Sequence, residues 1–185
     1  MTTNTHPQPE PKMKAITTLV LTLLLASAHT DQSPYAGEQT RSLKALSEGE
    51  VTQLLNGHGM GLARAAELNR YPGPRHVLDL ADDLGLTPAQ TAELNRVFEA
   101  MKAAAIPLGR EVIARETELD RLFTGRTASP NAVLALTREI GRLQGELRAV
   151  HLNAHVATVG ILQPAQIARY DELRGYTAAP AAPRS

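Results

Sequence analysis

Two long stretches of the chain carry apolar side chains at alternating spacings of four and three, and this pattern limits the fold more than any other feature. The first runs from Leu94 to Leu122 and is broken only at Arg115, and the second runs from Leu136 to Ile161. Apolar residues repeating about every 3.5 positions form a stripe along one side of a helix, and such a stripe requires a partner helix. Only the short segment 124–128 joins the two stretches, so we expect antiparallel packing. The sequence therefore predicts an elongated helical hairpin.

The segment 84–90, Leu-Gly-Leu-Thr-Pro-Ala-Gln, predicts where this hairpin begins. Its glycine can end one helix in the left-handed conformation, while Thr87 can cap the next helix and Gln90 can reach back to the cap. Proline at the first helical position costs no hydrogen bond. The segment 162–166 repeats proline and glutamine at the same offsets, with Gln163 in place of the capping threonine. We expect a final short helix from Pro164 to about residue 174.

Short helices are expected before the hairpin. Ser47 and Glu50 have the spacing of a capping box, and the glycines of segment 57–61 predict a turn after the first helix. Two more helices are predicted over residues 61–69 and 77–84. Pro107 lies inside the first long helix, where it removes one backbone hydrogen bond, so we expect a bend just before it. The predicted fold class is all-α: a long, bent antiparallel hairpin with short helices at both ends.

The N-terminal region has the pattern of an export signal. Lys12 and Lys14 precede an apolar run over residues 15–26, which ends in the small-residue motif Ala26-Ser27-Ala28. This run is shorter than the roughly 20 residues that cross a bilayer, so we expect a cleaved signal peptide over residues 1–28, a periplasmic protein and no stable membrane anchor. A signal peptide that begins at Met13 is the alternative to one that begins at Met1, because translation from Met13 would give the same apolar run.

The remaining predicted boundaries are a flexible leader over residues 29–46, a helical domain over 47–176 and a disordered tail over 177–185. The leader and the tail are rich in small and polar residues.

Composition excludes several classes of function. The formal net charge is zero, which does not favour a nucleic-acid partner. The chain has no cysteine, so disulfides, thiolate metal sites and catalytic thiols are excluded. Its pattern holds no Ser/His/Asp set, no paired catalytic carboxylates and no nucleotide motif. We therefore expect a protein that is not an enzyme.

The candidate chemistry lies on the second long helix. His151 and His155 are four residues apart, so their imidazoles project from one side about one turn from each other. Two such imidazoles suit adjacent positions on a Zn, Ni or Cu ion, and further ligands would come from His58, Met60, His76, a carboxylate or a dimer mate. The alternative is that His151 and His155 merely flank the stripe positions Val150 and Ala154.

The segments Leu86-Thr87-Pro88-Ala89-Gln90 and Leu162-Gln163-Pro164-Ala165-Gln166 have the form of the LTxxQ motif, the second in a degenerate copy. Two such motifs on either side of a helical hairpin resemble the Spy/CpxP family over roughly residues 77–176. That family includes periplasmic chaperones, inhibitors of envelope-stress kinases, and heavy-metal resistance or sensor proteins. The resemblance implies a cradle-like all-α subunit that pairs into a homodimer and has no catalytic activity.

Three functions are consistent with these observations. The first is a non-enzymatic periplasmic stress protein that binds a divalent transition metal at His151 and His155. The second is an ATP-independent chaperone that binds unfolded proteins. The third is a regulatory adaptor of an envelope-stress sensor.

Overall fold

A computed structural model of the chain describes residues 1–2 and 33–176. It divides into two compact units, residues 1–36 and 37–185, and every helix of the described residues lies in the second. The predicted signal peptide from residue 3 onward, the start of the predicted leader and the predicted tail lie outside the described residues. In the described part, no helix has the length and apolar character that crossing a membrane requires.

The described residues form helices and no strands, which confirms the predicted all-α class. A short 3-10 helix covers Glu38–Thr40. The α-helices are α1 (Glu48–Leu55), α2 (Arg64–Glu67), α3 (Pro74–Asp79), α4 (Pro88–Thr124), α5 (Pro130–Ile161) and α6 (Pro164–Leu173).

Helices α4 and α5 form the predicted antiparallel hairpin. They contain 37 and 32 residues, which correspond to lengths of about 56 and 48 Å at 1.5 Å per residue. The start of α4 contacts the end of α5, because the Gln90 side chain donates to the carbonyl of Ile161 at 2.9 Å. Helix α4 continues through Pro107. The bend expected at Pro107 stays a prediction.

The two LTxxQ segments meet at the open end of the hairpin. Thr87 caps α4, and its hydroxyl accepts from the Gln90 backbone N–H at 3.2 Å, as predicted. The Gln90 and Gln166 side-chain amides form a reciprocal pair, with N–O distances of 2.8 and 3.2 Å. We call this pair the glutamine clasp. Gln166 also donates to the carbonyl of Leu84 at 3.2 Å, so the clasp joins the starts of α4 and α6 to the turn before α4.

The buried stripe of each long helix repeats every eleven residues, which corrects the predicted 3.5-residue repeat. On α4 the buried positions include Leu94, Ala105 and Glu116, and along α5 and its C-terminal cap they include Ile140, His151 and Leu162. Eleven residues make three turns of about 3.67 residues, close to the 3.6 of an undistorted helix, so the stripe drifts away from heptad positions.

Three assignments change as a result of this drift. Ala157 is exposed, and Thr158 takes its place in the core. His151 is 3% exposed and lies in the stripe, so the interpretation of His151 as a flanking residue is wrong. On α4 the charged residue in the stripe is Glu116, whereas Arg115 turns to Glu118 at its side.

The short helices differ in their bounds from the prediction. Helix α1 matches it, with the capping box between Ser47 and Glu50 present. Helix α2 spans only four residues, and α3 begins at Pro74, three residues before the predicted start. Proline is well suited to the first helical position, where its ring fixes the required φ. Leu43, in the predicted leader, is buried.

Two apolar clusters hold the helices together. The first contains Leu54 of α1 with residues of α4 and α5 as far as Leu147, and the second contains Val77, Leu162 and Tyr170 from the region of the glutamine clasp. Helix α1 approaches α4 at Gly109, where an added methyl group would lie 2.5 Å from the carbonyl oxygen of Leu54. The part of α5 between the two clusters carries His151 and His155.

Candidate functional site

A cavity of about 450 Å³ opens between the two apolar clusters, and we call it the histidine cavity. Four of the six histidines of the chain line it. Its walls come from the turn after α1, from α3, and from the long helices α4 and α5. The lining residues are Gly57, His58, Gly59, Gly73, Pro74, Arg75, His76, Asp79, Phe98, Met101, Lys102, His151 and His155.

His151 is the most deeply buried of these histidines. Its Nε2 atom is inaccessible to solvent and has no hydrogen-bond partner in the described part of the chain. Burial lowers the pKa of His151, and the nearby His155 lowers it further, so the imidazole is neutral at neutral pH. A buried ring nitrogen without a partner is uncommon in folded proteins, since the loss of hydration is not compensated. Of the four histidines of the cavity, only His151 carries such a nitrogen.

His155 is held in one tautomer by the backbone. Its Nδ1 atom lies 2.6 Å from the carbonyl oxygen of Tyr71, which can only accept, so Nδ1 carries the proton and donates. The lone pair is then on Nε2. A backbone carbonyl bonded to one imidazole nitrogen is the usual arrangement behind a metal-binding histidine.

Gly73 keeps the space in front of this lone pair open. A methyl group added at Gly73 would lie 2.8 Å from Nε2 of His155. The backbone of Gly73 has φ −82° and ψ 146°, which any residue adopts, so backbone geometry does not require a glycine here. The glycine instead provides room at the His155 nitrogen.

The other candidate ligands differ in whether they line the histidine cavity. His58 and His76 are exposed at the rim of the cavity. Met60 does not line it: its side chain borders a separate, more apolar cavity of about 520 Å³ beside α1 and α5. Within residues 33–176, no three His, Asp or Glu side chains already stand in a metal-binding arrangement.

The cations of the cavity wall are held by neighbours. Arg75 donates to Asp79 at 2.9 and 3.1 Å, and Lys102 lies 5.6 Å from the ring centroid of Phe98. Hard cations such as Mg²⁺ prefer carboxylate ligands, and Asp79 is the only carboxylate that lines the cavity in the described residues. Neutral imidazoles favour the softer transition metals instead.

Glu67 lies behind the histidines. Its Oε2 atom accepts from the Gly73 backbone N–H at 3.1 Å and lies 3.7 Å from Nδ1 of His155, and its Oε1 lies 3.6 Å from Nδ1 of His76. Burial alone would raise the pKa of Glu67, but His76 and the hydroxyl of Tyr170 outweigh it and lower the pKa to about 2. The carboxylate is therefore ionised at any physiological pH.

The sequence model of a heavy-metal resistance family matches residues 51–169, which is 119 of the 185 residues. The chain belongs to this heavy-metal resistance family. The same assignment agrees with the Spy/CpxP-like LTxxQ resemblance. Neither a curated protein nor a solved structure matches the chain significantly.

Membership of the heavy-metal resistance family supports a non-enzymatic role in metal resistance. The matched region contains the four histidines of the cavity together with Glu67 and Gly73. The structural elements that surround the cavity are thus part of the family domain.

Proposed function

We propose that this chain is an exported, non-enzymatic heavy-metal stress protein that binds one divalent transition-metal ion in the histidine cavity. His151 and His155 supply the first two ligands, His155 through its Nε2 atom. His58 and His76, exposed at the rim, are close enough to the cavity to complete the site when a metal enters.

The buried, unpartnered Nε2 of His151 is the observation that carries this proposal. Burying an unpaired polar group costs roughly 1–3 kcal/mol, and a folded protein tolerates such a cost chiefly where function requires it. The lowered pKa of His151, caused by burial and by His155, keeps the ring in the form that binds metals.

The donor set indicates the class of ion. Imidazole nitrogens suit Zn²⁺, Ni²⁺ and Cu²⁺, and the chain contains no thiolate that would favour softer ions. A site with one buried, one half-buried and two exposed histidines also accounts for the lack of a preformed three-ligand group in the described residues. The exposed pair would close on the metal as it binds.

Titration of the full chain with Zn²⁺, Ni²⁺ and Cu²⁺ tests the proposal directly. The double variant His151→Ala/His155→Ala should lose binding. The single variant His151→Leu is the sharper test, because it removes the orphaned nitrogen while it keeps the volume in the core. It should lose binding and gain roughly 1 kcal/mol or more in the free energy of unfolding. Equal binding by the wild type and both variants would refute the proposal.

A chaperone that binds unfolded clients needs a contiguous exposed apolar patch. Among the large apolar side chains that are exposed, Leu134 lies near the closed end of the hairpin and Val156 near its open end. These two residues are 22 positions apart on α5, or about 33 Å, so they do not belong to one patch.

A further inference from the structure

The Glu67 carboxylate is surrounded by more hydrogen-bond donors than its two oxygens can accept from at once with good geometry. On one side are the imidazoles of the histidine cavity, with Nδ1 of His76 and His155 at 3.6 and 3.7 Å. On the other side are the hydroxyls of Tyr170 and Tyr176, which donate to Oε1 at 2.5 and 3.1 Å. Tyr170 lies in α6, and Tyr176 is the last residue of the chain that the structure describes.

We propose that Glu67 couples metal occupancy of the histidine cavity to the C-terminal end of α6. In the structure the carboxylate bonds both tyrosines and only faces the histidines. When a cation occupies the cavity, Glu67 moves toward the imidazoles and releases Tyr176. This inference rests on the proposed function, since it requires a cation on the histidines.

The direction of the shift follows from electrostatics. A cation bound to Nε2 of His76 withdraws charge from that imidazole ring, so its Nδ1–H becomes a stronger donor and attracts a carboxylate more strongly, whereas the Nδ1–H of His155 already donates to the Tyr71 carbonyl. Glu67 is ionised and largely enclosed, with 12% of its side chain exposed, so this attraction is little screened by water. It acts on Oε1, which faces His76 and accepts from both tyrosines.

Tyr176 is the contact that such a movement breaks first. Its hydrogen bond to Glu67 is the longer of the two, and the residue is 36% exposed, whereas Tyr170 is fully buried. The other cation facing the carboxylate is Arg174, with Nε at 3.8 Å from Oε1. Since Arg174 also donates to the Tyr176 hydroxyl at 3.4 Å, release of Tyr176 changes the surroundings of both residues.

The coupling is measurable in the full chain labelled with 3-fluorotyrosine. The four tyrosines of the chain give four fluorine resonances, which single Tyr→Phe variants assign. In one titration, Zn²⁺ binding is followed by calorimetry and the Tyr176 resonance by NMR. We expect the Tyr176 signal to move with the same saturation curve as metal binding.

Variants provide the reciprocal test, because coupling between two sites must act equally in both directions. Tyr176→Phe removes a competitor for Glu67 and should raise Zn²⁺ affinity about twofold to tenfold, the range of one hydrogen bond. Glu67→Gln keeps an acceptor for Tyr170 but loses the charge, so it should lower the affinity roughly tenfold and abolish the response of the Tyr176 signal. Tyr71→Phe is the matched control, since the Tyr71 contact to His155 uses only the backbone carbonyl.

The two proposals fail in different ways. Zn²⁺ binding with a Tyr176 signal that does not respond, or an unchanged affinity in Tyr176→Phe, would overturn the coupling and leave the proposed function standing. If the wild type does not bind Zn²⁺, Ni²⁺ or Cu²⁺ at all, both proposals are refuted.

Discussion

Substitution of Gly73 by alanine tests the metal site without altering any proposed ligand. The added methyl carbon would stand 2.8 Å from Nε2 and 2.9 Å from Cε1 of His155. Ordinary van der Waals contact begins at 3.4 Å, so the ring must retreat by about 0.6 Å or the methyl group occupies the place of the metal. The ring has little room to retreat, because its Nδ1 is bonded to the Tyr71 carbonyl at 2.6 Å.

The same substitution should leave the fold nearly as stable as before. Gly73 adopts extended backbone angles that suit alanine and that the following Pro74 requires. Replacing glycine at such a position gains about 0.4–1 kcal/mol from the unfolded chain, while displacing the ring from its rotamer costs about 0.5–1.5 kcal/mol. The net change in the free energy of unfolding is therefore expected within about 1 kcal/mol of zero.

Metal affinity should respond far more strongly. Disturbing even the outer partners of a metal site costs roughly 10–100-fold in affinity, and Gly73→Ala blocks a proposed ligand atom itself. Competition of the chain against a chromophoric Zn²⁺ indicator measures this loss, with urea unfolding as the measure of stability. Gly141→Ala is the control, because an added methyl group there has no atom within 4 Å. If Gly73→Ala binds Zn²⁺ as tightly as the wild type, His155 is not a ligand through Nε2.

Three further substitutions or conditions test the fold around the site. Gly109→Ala places a methyl group 2.5 Å from a backbone oxygen of Leu54, so it should lower the free energy of unfolding by about 1–3 kcal/mol. In the same urea experiment, Gly141→Ala should raise it by up to roughly 1 kcal/mol, because alanine favours the helix and its methyl group meets no atom within 4 Å. Thr87→Ala removes the helix cap and should lower the free energy of unfolding by about 0.5–2 kcal/mol. Gln90→Ala breaks the capping box and the glutamine clasp together, so it should lower this free energy further. Equal losses in the two variants would show that the clasp adds nothing to stability. The pKa of Glu67 is about 2 in the folded chain against its usual 4.5, so the stability that this carboxylate contributes is complete above pH 4.5 and is lost as the pH falls toward 2. Between pH 5 and pH 3 the wild type should lose about 2 kcal/mol of unfolding free energy that Glu67→Gln does not lose, and parallel curves would contradict this.

The helix boundaries that could be predicted are those set by local chemistry. The capping boxes of Thr87 with Gln90 and of Ser47 with Glu50 join atoms within three residues of each other, so these helix starts depend on nothing distant in the chain. The bonds from Gln90 to Ile161 and Gln166 are distant ones and could not be predicted in this way. The hairpin was predictable for a related reason, since a long apolar stripe and a short connector leave a helix few ways to bury its surface.

Which residues form the buried stripe of each long helix was harder to predict. Heptad spacing and an eleven-residue repeat agree over one or two turns and differ only after several, and alanines fit either pattern. Val150 and His151 are neighbours in the sequence, and hydrophobicity alone favours Val150 for the buried position. The structure buries His151 more deeply than Val150, because the eleven-residue repeat brings position 151 into the stripe.

The parts of the site that could not be predicted are those that distant segments bring together. Glu67 and Gly73 lie in short elements without a periodic pattern, and each contacts His155 more than 80 residues away. A glycine between two prolines indicates a turn, and a single glutamate on a four-residue helix indicates a solvated surface. Only the packing of α2 and α3 on α5 gives these residues their roles.

The glutamine clasp also has a consequence for the order of folding. Gln90 and Gln166 are 76 positions apart, whereas the closed end of the hairpin joins residues only a few positions apart. Contacts between near neighbours in sequence form first because they close the smallest loops, so we expect pairing to spread from the connector at 125–129 toward the clasp. A bond formed after the transition state stabilises the folded chain by slowing its unfolding. The clasp would thus set how long the native helices stay together, while the connector sets how quickly they meet.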